Sequence, residues 1–386
     1  MTSDSAVGRL IALLALTVFS GALVTRLTDP LAMVLARDLG STAARASLLA
    51  SAFALPFALI QPILGPVGDA LGKRRVMAIA IALLTILLAA CAAAPNLDSL
   101  MVLRALTGIA AGGLNPLAIA LVSDTAPAEG RQVALSRLVA CSIAGQIAGG
   151  SSAALLEPYI GWRGVMLAAS CMAAVGFVTL LFGGHRFPVE PRRRFDPWGA
   201  AASYLNLLRL PAARVLYFSV AVEGGFVFGS FPYFALELQA RGIGATAEAG
   251  LTVAAFGAGG LLYTAIAKQV LRLIGQNRMV LLGGVLCLLA YVGFAFAPTS
   301  RIFIGAGVLL GIGMFMIHNS IQTRVADVAP LARGTAVALH AFHFFLGQTA
   351  GPLVFGLILH RAGARVAFLA GGVSLLSLAS LLASRR

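Results

Sequence analysis

Four ionisable residues lie inside long apolar stretches of this sequence, where charge is costly and therefore informative. Glu223 lies about eight residues into the stretch 215–236. At 1.5 Å per residue this places it roughly 12 Å deep in an apolar layer about 30 Å thick. A carboxylate there, with no Lys or Arg within a helical turn, can bind a proton and release it when water reaches the site. Glu223 is therefore predicted to couple proton flow to another process. The alternative is a side chain that hydrogen-bonds a neighbouring helix.

The other three ionisable residues are Arg26, Asp29 and Arg104. Asp29 follows Arg26 by three residues, so a helix puts both on one face and predicts an internal ion pair. Such a pair suits a gate or a structural element better than a free proton carrier. An unpaired guanidinium in an apolar span is costly, so Arg104 is expected either to face the protein interior or to extend to the membrane surface.

Other polar and aromatic side chains in the apolar stretches are candidates to line a substrate path. They are Gln61, Asn115, Gln146, Phe228, His318, Gln322, His340, His343 and Gln348. Aromatic residues at such positions more often serve packing alone. His340 and His343, three residues apart, allow a zinc pair, but no third ligand accompanies them. We therefore predict no metal site.

The composition excludes a water-soluble enzyme. Of 386 residues, 59% are hydrophobic and 11% charged, whereas soluble domains have about 25% charged residues. The 28 basic and 14 acidic residues are too few to cover a soluble surface, so lipid is the expected solvent. The net charge of +14 then reflects membrane orientation, and no nucleic-acid partner is expected.

Twelve apolar segments follow from cutting the sequence at charge clusters and at Pro or Gly turns. Their approximate ranges are 10–36, 46–69, 76–94, 99–122, 133–156, 164–183, 215–236, 249–271, 279–297, 302–323, 335–359 and 366–383. Each can cross a bilayer as a helix, which satisfies its own backbone there. Lys and Arg number 19 on the side of the N-terminus and 7 on the other, and Arg26 and Arg104 complete the 28. This bias predicts that both chain ends lie in the cytoplasm.

The two halves of the chain repeat each other. At an offset of 203 residues, the same residue type recurs for Gly21, Gly72, Arg75, Pro95, Gly108, Asp124 and Pro127. At an offset of 202, the run 145–149 aligns with 347–351. Two six-helix units of equal topology, with a cavity between them, are the plan of secondary transporters. We expect units at 1–184 and 215–386, joined by a cytoplasmic linker at 185–214 that holds a short amphipathic piece.

The connection between the second and third apolar segments carries the most specific motif. Its residues are Gly65, Asp69, Gly72, Lys73, Arg74 and Arg75. Here the sequence resembles the major facilitator superfamily, whose signature has a basic residue where this chain has Ala70. A basic run alone is typical of ordinary membrane topology, but the Gly and Asp spacing favours a gating motif.

The resemblance implies further roles. Asp124 would pair with Arg75 or Arg131 and lock the outward-open state from the cytoplasmic side; the alternative is that Asp124 only caps a helix. Arg104 with the glycine four residues later resembles a pattern seen in proton-linked members. The run 145–154 resembles a decayed antiporter motif, and close packing of small residues explains it without antiport.

The fold implied by the resemblance is an all-α membrane protein with twelve transmembrane helices in two pseudo-symmetric six-helix bundles, similar to the drug/proton antiporter and sugar-efflux branch. The expected function is secondary active transport of a small organic solute across the cytoplasmic (inner) membrane by alternating access, as proton-coupled efflux. The first alternative is proton-linked uptake of a small metabolite. The second is a membrane enzyme or sensor, but no nucleophile with a base partner and no P-loop is present. We expect a monomer without catalytic residues or cofactors, whose partners are the substrate, protons and membrane lipid.

Overall fold

The computed structural model describes residues 3–125, 128–183, 197–328 and 333–384. Within these ranges it contains fourteen α-helices, one 3₁₀ helix at Phe231–Tyr233 and no strand. The α-helices are α1 Ser3–Val24, α2 Ala32–Asp38, α3 Ala43–Leu71, α4 Lys73–Ala92, α5 Leu97–Ala111, α6 Leu114–Thr125, α7 Ala128–Phe182, α8 Pro197–Arg209, α9 Pro211–Gly229, α10 Phe234–Ala240, α11 Thr246–Phe296, α12 Ser300–Val328, α13 Arg333–Ala362 and α14 Ala364–Ser384. The all-α prediction is confirmed.

Two long helices, α7 and α11, are each interrupted by one glycine. Gly161 has φ 67° and ψ 167°, and Gly275 has φ 72° and ψ 166°, a conformation that glycine adopts without steric cost. The chain reverses direction at Gly161. Before Gly161, successive residues of α7 contact later and later residues of α1, and after Gly161 they contact earlier and earlier ones. The contacting pairs are Gly145 with Phe19, Gly149 with Leu23, Met172 with Ser20 and Gly176 with Thr17.

Three other crossings consist of more than one helix. α1 and α2 are separated by turns at 25–31, α5 and α6 by 112–113, and α9 and α10 by Ser230 and the 3₁₀ helix. Among the described residues, nine spans are long and apolar enough to cross a membrane. Two of these, α7 and α11, hold two crossings each, and Ile11–Val24 with α2 supplies one more. The predicted twelve crossings are thus confirmed.

Two main apolar cores divide the molecule into two bundles. One core consists of buried residues within 11–180, and the other of buried residues within 207–382. Glycines that repeat at an offset of 203 residues make equivalent close contacts in the two bundles. At each of them the missing side chain lets one helix approach the backbone of its neighbour. The equivalent pairs are Gly108 with the Phe53 carbonyl and Gly311 with the Phe256 carbonyl.

The bundles contact each other through α3 with α13 and through α7 with α11. The Ser51 hydroxyl donates to the carbonyl of Thr349 at 2.7 Å, and the Ser151 hydroxyl to that of Gly250 at 3.3 Å. Both contacts lie on the side of the molecule away from the turn between α3 and α4 at Gly72. We term this the closed side.

Helix α8 occupies the described part of the predicted linker. The Tyr204 hydroxyl donates to the carbonyl of Pro62 at 3.1 Å, and Leu207 is buried, so α8 packs against the end of α3. Residues 184–196 lie outside the described ranges. The unit boundaries stay predictions: 1–184, 185–214 and 215–386.

We predict that Gly311→Ala destabilises the second bundle, because a Cβ there would overlap the Phe256 carbonyl oxygen and close-packed helices cannot absorb the overlap without moving apart. The Tm of the purified protein in detergent should fall by several degrees. Gly305→Ala in the same helix is the control, since nothing lies within 4 Å of a Cβ there and Ala is favoured over Gly in a helix by about 0.5–1 kcal/mol. Equal Tm values for the two variants would contradict this packing.

Candidate functional site

The break between α1 and α2 holds an ion pair. Arg26 Nη1 lies 3.5 Å from Asp29 Oδ2, and the two side chains are 4% and 1% exposed. The pair predicted from their spacing is therefore present, although the residues lie in turns at 25–31 rather than in a continuous helix. Discontinuous helices of this kind form the binding sites of many transporters.

Arg26 also reaches the other bundle. Its Nη2 donates to Oε1 of Gln348 on α13 at 2.5 Å, and its guanidinium carbon lies 3.8 Å from the ring centroid of Phe228 on α9. Two residues predicted for the substrate path, Phe228 and Gln348, thus meet Arg26 where the bundles touch.

Arg104 is completely buried and faces the protein interior, which settles the two alternatives left by the sequence. Both terminal nitrogens donate to the Val24 carbonyl at 3.2 Å, and the guanidinium lies over the Phe53 ring at 4.4 Å. Val24 ends α1, so Arg104 supplies a donor to a carbonyl at the point where the helix stops. Asp29 interacts electrostatically with Arg104 as well as with Arg26.

Glu223 forms the second polar cluster, in the other bundle. It is completely buried, and its Oε2 lies 2.8 Å from His318 Nδ1 on α12. The expectation of an unpaired carboxylate is therefore corrected, because His318 of another helix is its hydrogen-bond partner. Glu223 Oε1 has no hydrogen-bond partner. The ring of the buried His340 lies 5.1 Å from that of His318.

His343 points elsewhere, although it is three residues from His340. Its ring stacks on Tyr217 at 4.9 Å, and its Nδ1 lies 2.7 Å from the Leu339 carbonyl. In the described part of the chain, no group of three or more His, Cys, Asp or Glu side chains is arranged to hold a metal ion.

Aromatic rings connect the two polar clusters. Phe228, which covers Arg26, lies 5.6 Å from Phe344, and Phe344 lies 4.9 Å from the His318 ring. Sequence reasoning missed Phe344 and Tyr217. The available signal was that Phe344 follows His340 by four residues, which places both on one face of a helix.

Besides His343, four residues predicted for the substrate path belong to neither cluster. Gln61 is buried, Oδ1 of Asn115 is buried without a partner, Gln146 is partly exposed and Gln322 is exposed. Their predicted role in a substrate path stays a prediction.

The gating motif forms an ion-pair cluster at the turn between α3 and α4. Lys73 Nζ lies 2.6 Å from Asp69 Oδ1 and 3.0 Å from Asp124 Oδ2. Asp124 was expected to pair with Arg75 or Arg131. The observed partner is Lys73, because Gly72, with φ 93°, turns the chain so that the first residue of α4 reaches both carboxylates. Arg75 is exposed, and the Arg131 side chain lies outside the described set.

The remaining motif residues flank this cluster. Arg74 Nη2 lies 3.4 Å from the Leu181 carbonyl, to which it donates. Gly65 is three residues after Pro62 within α3. The motif therefore spans the end of α3 and the start of α4, at the end of the molecule opposite the closed side.

Two six-helix bundles of equal topology, with broken helices and a polar cluster where the bundles touch, are the plan of secondary transporters. Residues 14–332 and 247–386 match the Major Facilitator Superfamily. The chain belongs to this family, and it is a multi-pass membrane protein.

Relatives and a solved structure agree with this class. The multi-drug resistance efflux pump PmrA homolog of Lactococcus lactis is 25% identical over 321 residues, covering 81% of this chain and 79% of the relative. The 4-hydroxybenzoate transporter PcaK of Pseudomonas aeruginosa is 29% identical over 184 residues, covering 48% and 40%. The human organic anion transporter MFSD10 (TETRAN) shares the fold, with a TM-score of 0.72 at 18% identity over 97% of this chain and 99% of that one. The family and these relatives are transporters and not enzymes.

We predict that Arg104→Leu lowers stability, because it leaves the buried Val24 carbonyl without its donor. An unsatisfied buried group costs about 1–3 kcal/mol. The control is Arg163→Leu, since Arg163 Nη2 also donates to a carbonyl, that of Ala94 at 3.0 Å, but is only partly buried. Thermal unfolding of both purified variants provides the measurement, and an equal or larger loss for Arg163→Leu would be evidence against this role of Arg104.

Proposed function

We propose that this transporter exports a small organic solute across the cytoplasmic (inner) membrane in exchange for protons, by alternating access. The observation that carries the proposal is the contact between the buried Glu223 and the partly exposed His318 within the second bundle. A buried carboxylate held 2.8 Å from a histidine can take up and release a proton when hydration changes.

The surroundings of Glu223 support a role in coupling. His318 comes from α12, His340 from α13 and Cys287 from α11, and all three lie near the carboxylate or its partner. The helix that carries Glu223, α9, packs along α13, and α13 in turn contacts α3 of the first bundle. A proton on Glu223 neutralises the carboxylate and changes its hydrogen bond to His318. It therefore changes the balance of forces on helices that contact the other bundle.

The proposed direction of transport and the proposed orientation of the chain in the membrane are supported by separate observations. The relative that aligns along most of the chain is named as an efflux pump, and the excess of Lys and Arg on the side of the N-terminus favours cytoplasmic chain ends. With that orientation the closed side faces outward and the ion-pair cluster of the gating motif lies at the cytoplasmic end. Both bundles lie in one chain, which supports a monomer surrounded by lipid.

Uptake is the second candidate function. The relative PcaK is named as a 4-hydroxybenzoate transporter, and a carrier of the same fold can run in either direction. Both functions use the same broken helices and the same pair at Glu223, so the direction of solute movement separates them.

We predict that Glu223→Gln abolishes proton coupling, because Gln keeps an acceptor for His318 but cannot exchange a proton. The solute is first identified as the compound that most raises Tm in a thermal-shift screen. Its flux into proteoliposomes under a pH gradient, with lumenal pH followed by pyranine, should fall by about tenfold or more, the size of a typical coupling free energy.

Two controls sharpen this test. Glu157→Gln makes the same chemical change next to Pro158 in α7, outside both clusters, and should leave the coupled flux unchanged. His318→Gln should alter the pH dependence of the flux. An intact pH dependence in Glu223→Gln would reject the assignment.

We predict that inverted membrane vesicles with an acidic lumen accumulate the solute, since their cytoplasmic face is outside and export then fills the lumen. A protonophore should abolish the accumulation. Accumulation in right-side-out vesicles with an acidic exterior, and none in inverted ones, would instead establish proton-linked uptake.

A further inference from the structure

The first polar cluster has more positive than negative charge. We term Arg26, Asp29, Arg104 and Gln348 the arginine cluster; each of the four side chains is at most 4% exposed. It contains two guanidinium groups and one carboxylate. Asp29 is the acid that interacts electrostatically with both arginines, while Glu223 is engaged with His318. Among the described residues, this leaves one buried positive charge without a counter-charge.

Three buried donors in the arginine cluster have no acceptor. They are Nε of Arg26, Nε of Arg104 and Nε2 of Gln348, although Arg26 and Gln348 bond each other through Nη2 and Oε1. Leaving such groups unsatisfied is unfavourable. An anionic oxygen close to Arg26 Nε and Gln348 Nε2 would accept from both and would supply the missing negative charge. The two donors come from opposite bundles, so such an oxygen would bind where the bundles separate during transport.

An aromatic wall adjoins these donors. The guanidinium of Arg26 lies over Phe228, and Phe228 contacts three further rings at edge-on angles, those of Phe231, Phe256 and Phe344. Faces and edges of phenylalanine rings favour a flat apolar body. The break in the first crossing, at 25–31, contributes Arg26 to this contact, and the break in the seventh, at 230–233, contributes Phe231.

We infer that the transported solute is an organic anion, whose carboxylate or sulfonate binds between Arg26 and Gln348 while its flat apolar body packs on Phe228 and neighbouring rings. This inference rests on the proposed function, which leaves the solute class open. Asp29 holds Arg26 at 3.5 Å and competes with the anion for the guanidinium. The competition limits affinity, so that the solute can leave on the other side.

The test measures binding to the full chain in lipid nanodiscs by calorimetry. The probes are 2-naphthoate, 2-naphthamide and 2-naphthylmethylamine, which share a ring system and differ in charge. We expect 2-naphthoate to bind at least about tenfold more tightly than the other two, as a hydrogen bond to a charged group predicts.

Gln348→Glu is the decisive variant, because its carboxylate can still accept from Arg26 and also supplies the missing negative charge. It should abolish the preference for 2-naphthoate while its Tm stays at or above that of the wild type. Arg26→Lys, which keeps the charge but loses the planar fork, should weaken 2-naphthoate binding. Gln239→Glu, at an exposed position of α10, is the matched control for the charge change and should keep the preference.

Equal binding of the three probes, preference for the amine, no binding of any probe, or an unchanged preference in Gln348→Glu would overturn the inference. The proposed function fails in a different way. Selective binding of 2-naphthoate without any flux driven by a pH gradient would support the anion site and contradict proton-coupled transport. Proton-coupled flux of a cationic or neutral solute would support the transport proposal and contradict the anion site.

Discussion

A lipid bilayer offers no hydrogen bonds, so a polar group placed inside it must find its partner within the protein, on its own helix or on a neighbouring one. This constraint determines where the chain can be irregular. α1 stops at Val24, and Arg104 from α5 supplies the donor to its carbonyl. Arg26, in the turn that follows, is bonded by Asp29 and by Gln348 of the other bundle. The first crossing can therefore be broken because side chains from two other helices meet it there.

The internal repeat preserves the packing of the helices but not the charged residues near the breaks. Glycines that allow close helix approach recur at equivalent positions of the two bundles, and so does the break in the first crossing of each bundle. The charged residues at the breaks differ. The first bundle has Arg26 beside its break, whereas the second has Phe228 and, one to two turns earlier, Glu223. In both bundles the close packing of helices depends on glycines that bring backbones together. The side chains at the interface between the bundles can therefore differ and serve different functions.

Features that depend on the spacing of residues along the chain could be predicted from the sequence. Contacts that depend on how each helix is rotated about its axis could not. Hydropathy gave twelve crossings, the offsets gave two bundles, and three-residue spacing gave the pair of Arg26 and Asp29. Nothing local indicates that Glu223 meets His318, 95 residues away, because that contact depends on how two helices are turned toward each other. The same limit applies to Lys73, which took the place expected for Arg75. The φ of Gly72 directs the first residue of α4 toward Asp69 and Asp124, and a motif does not specify that angle.

Under the proposed mechanism, the separation of the two clusters explains how one helix pair can respond to both proton and solute. Glu223 and Phe228 lie on α9, while His340, Phe344 and Gln348 lie on α13, and α9 and α13 pack along each other. A proton binds this helix pair at Glu223, which contacts His318 on α12. An anion binds it further along, at Gln348 and Phe228, which contact Arg26 of the first bundle. Separation of the bundles breaks the contacts of Arg26 with Phe228 and Gln348 but leaves the Glu223 contact inside its own bundle. The two ligands therefore compete through the position of one helix pair and need not touch each other, which is the condition for coupling by differential affinity.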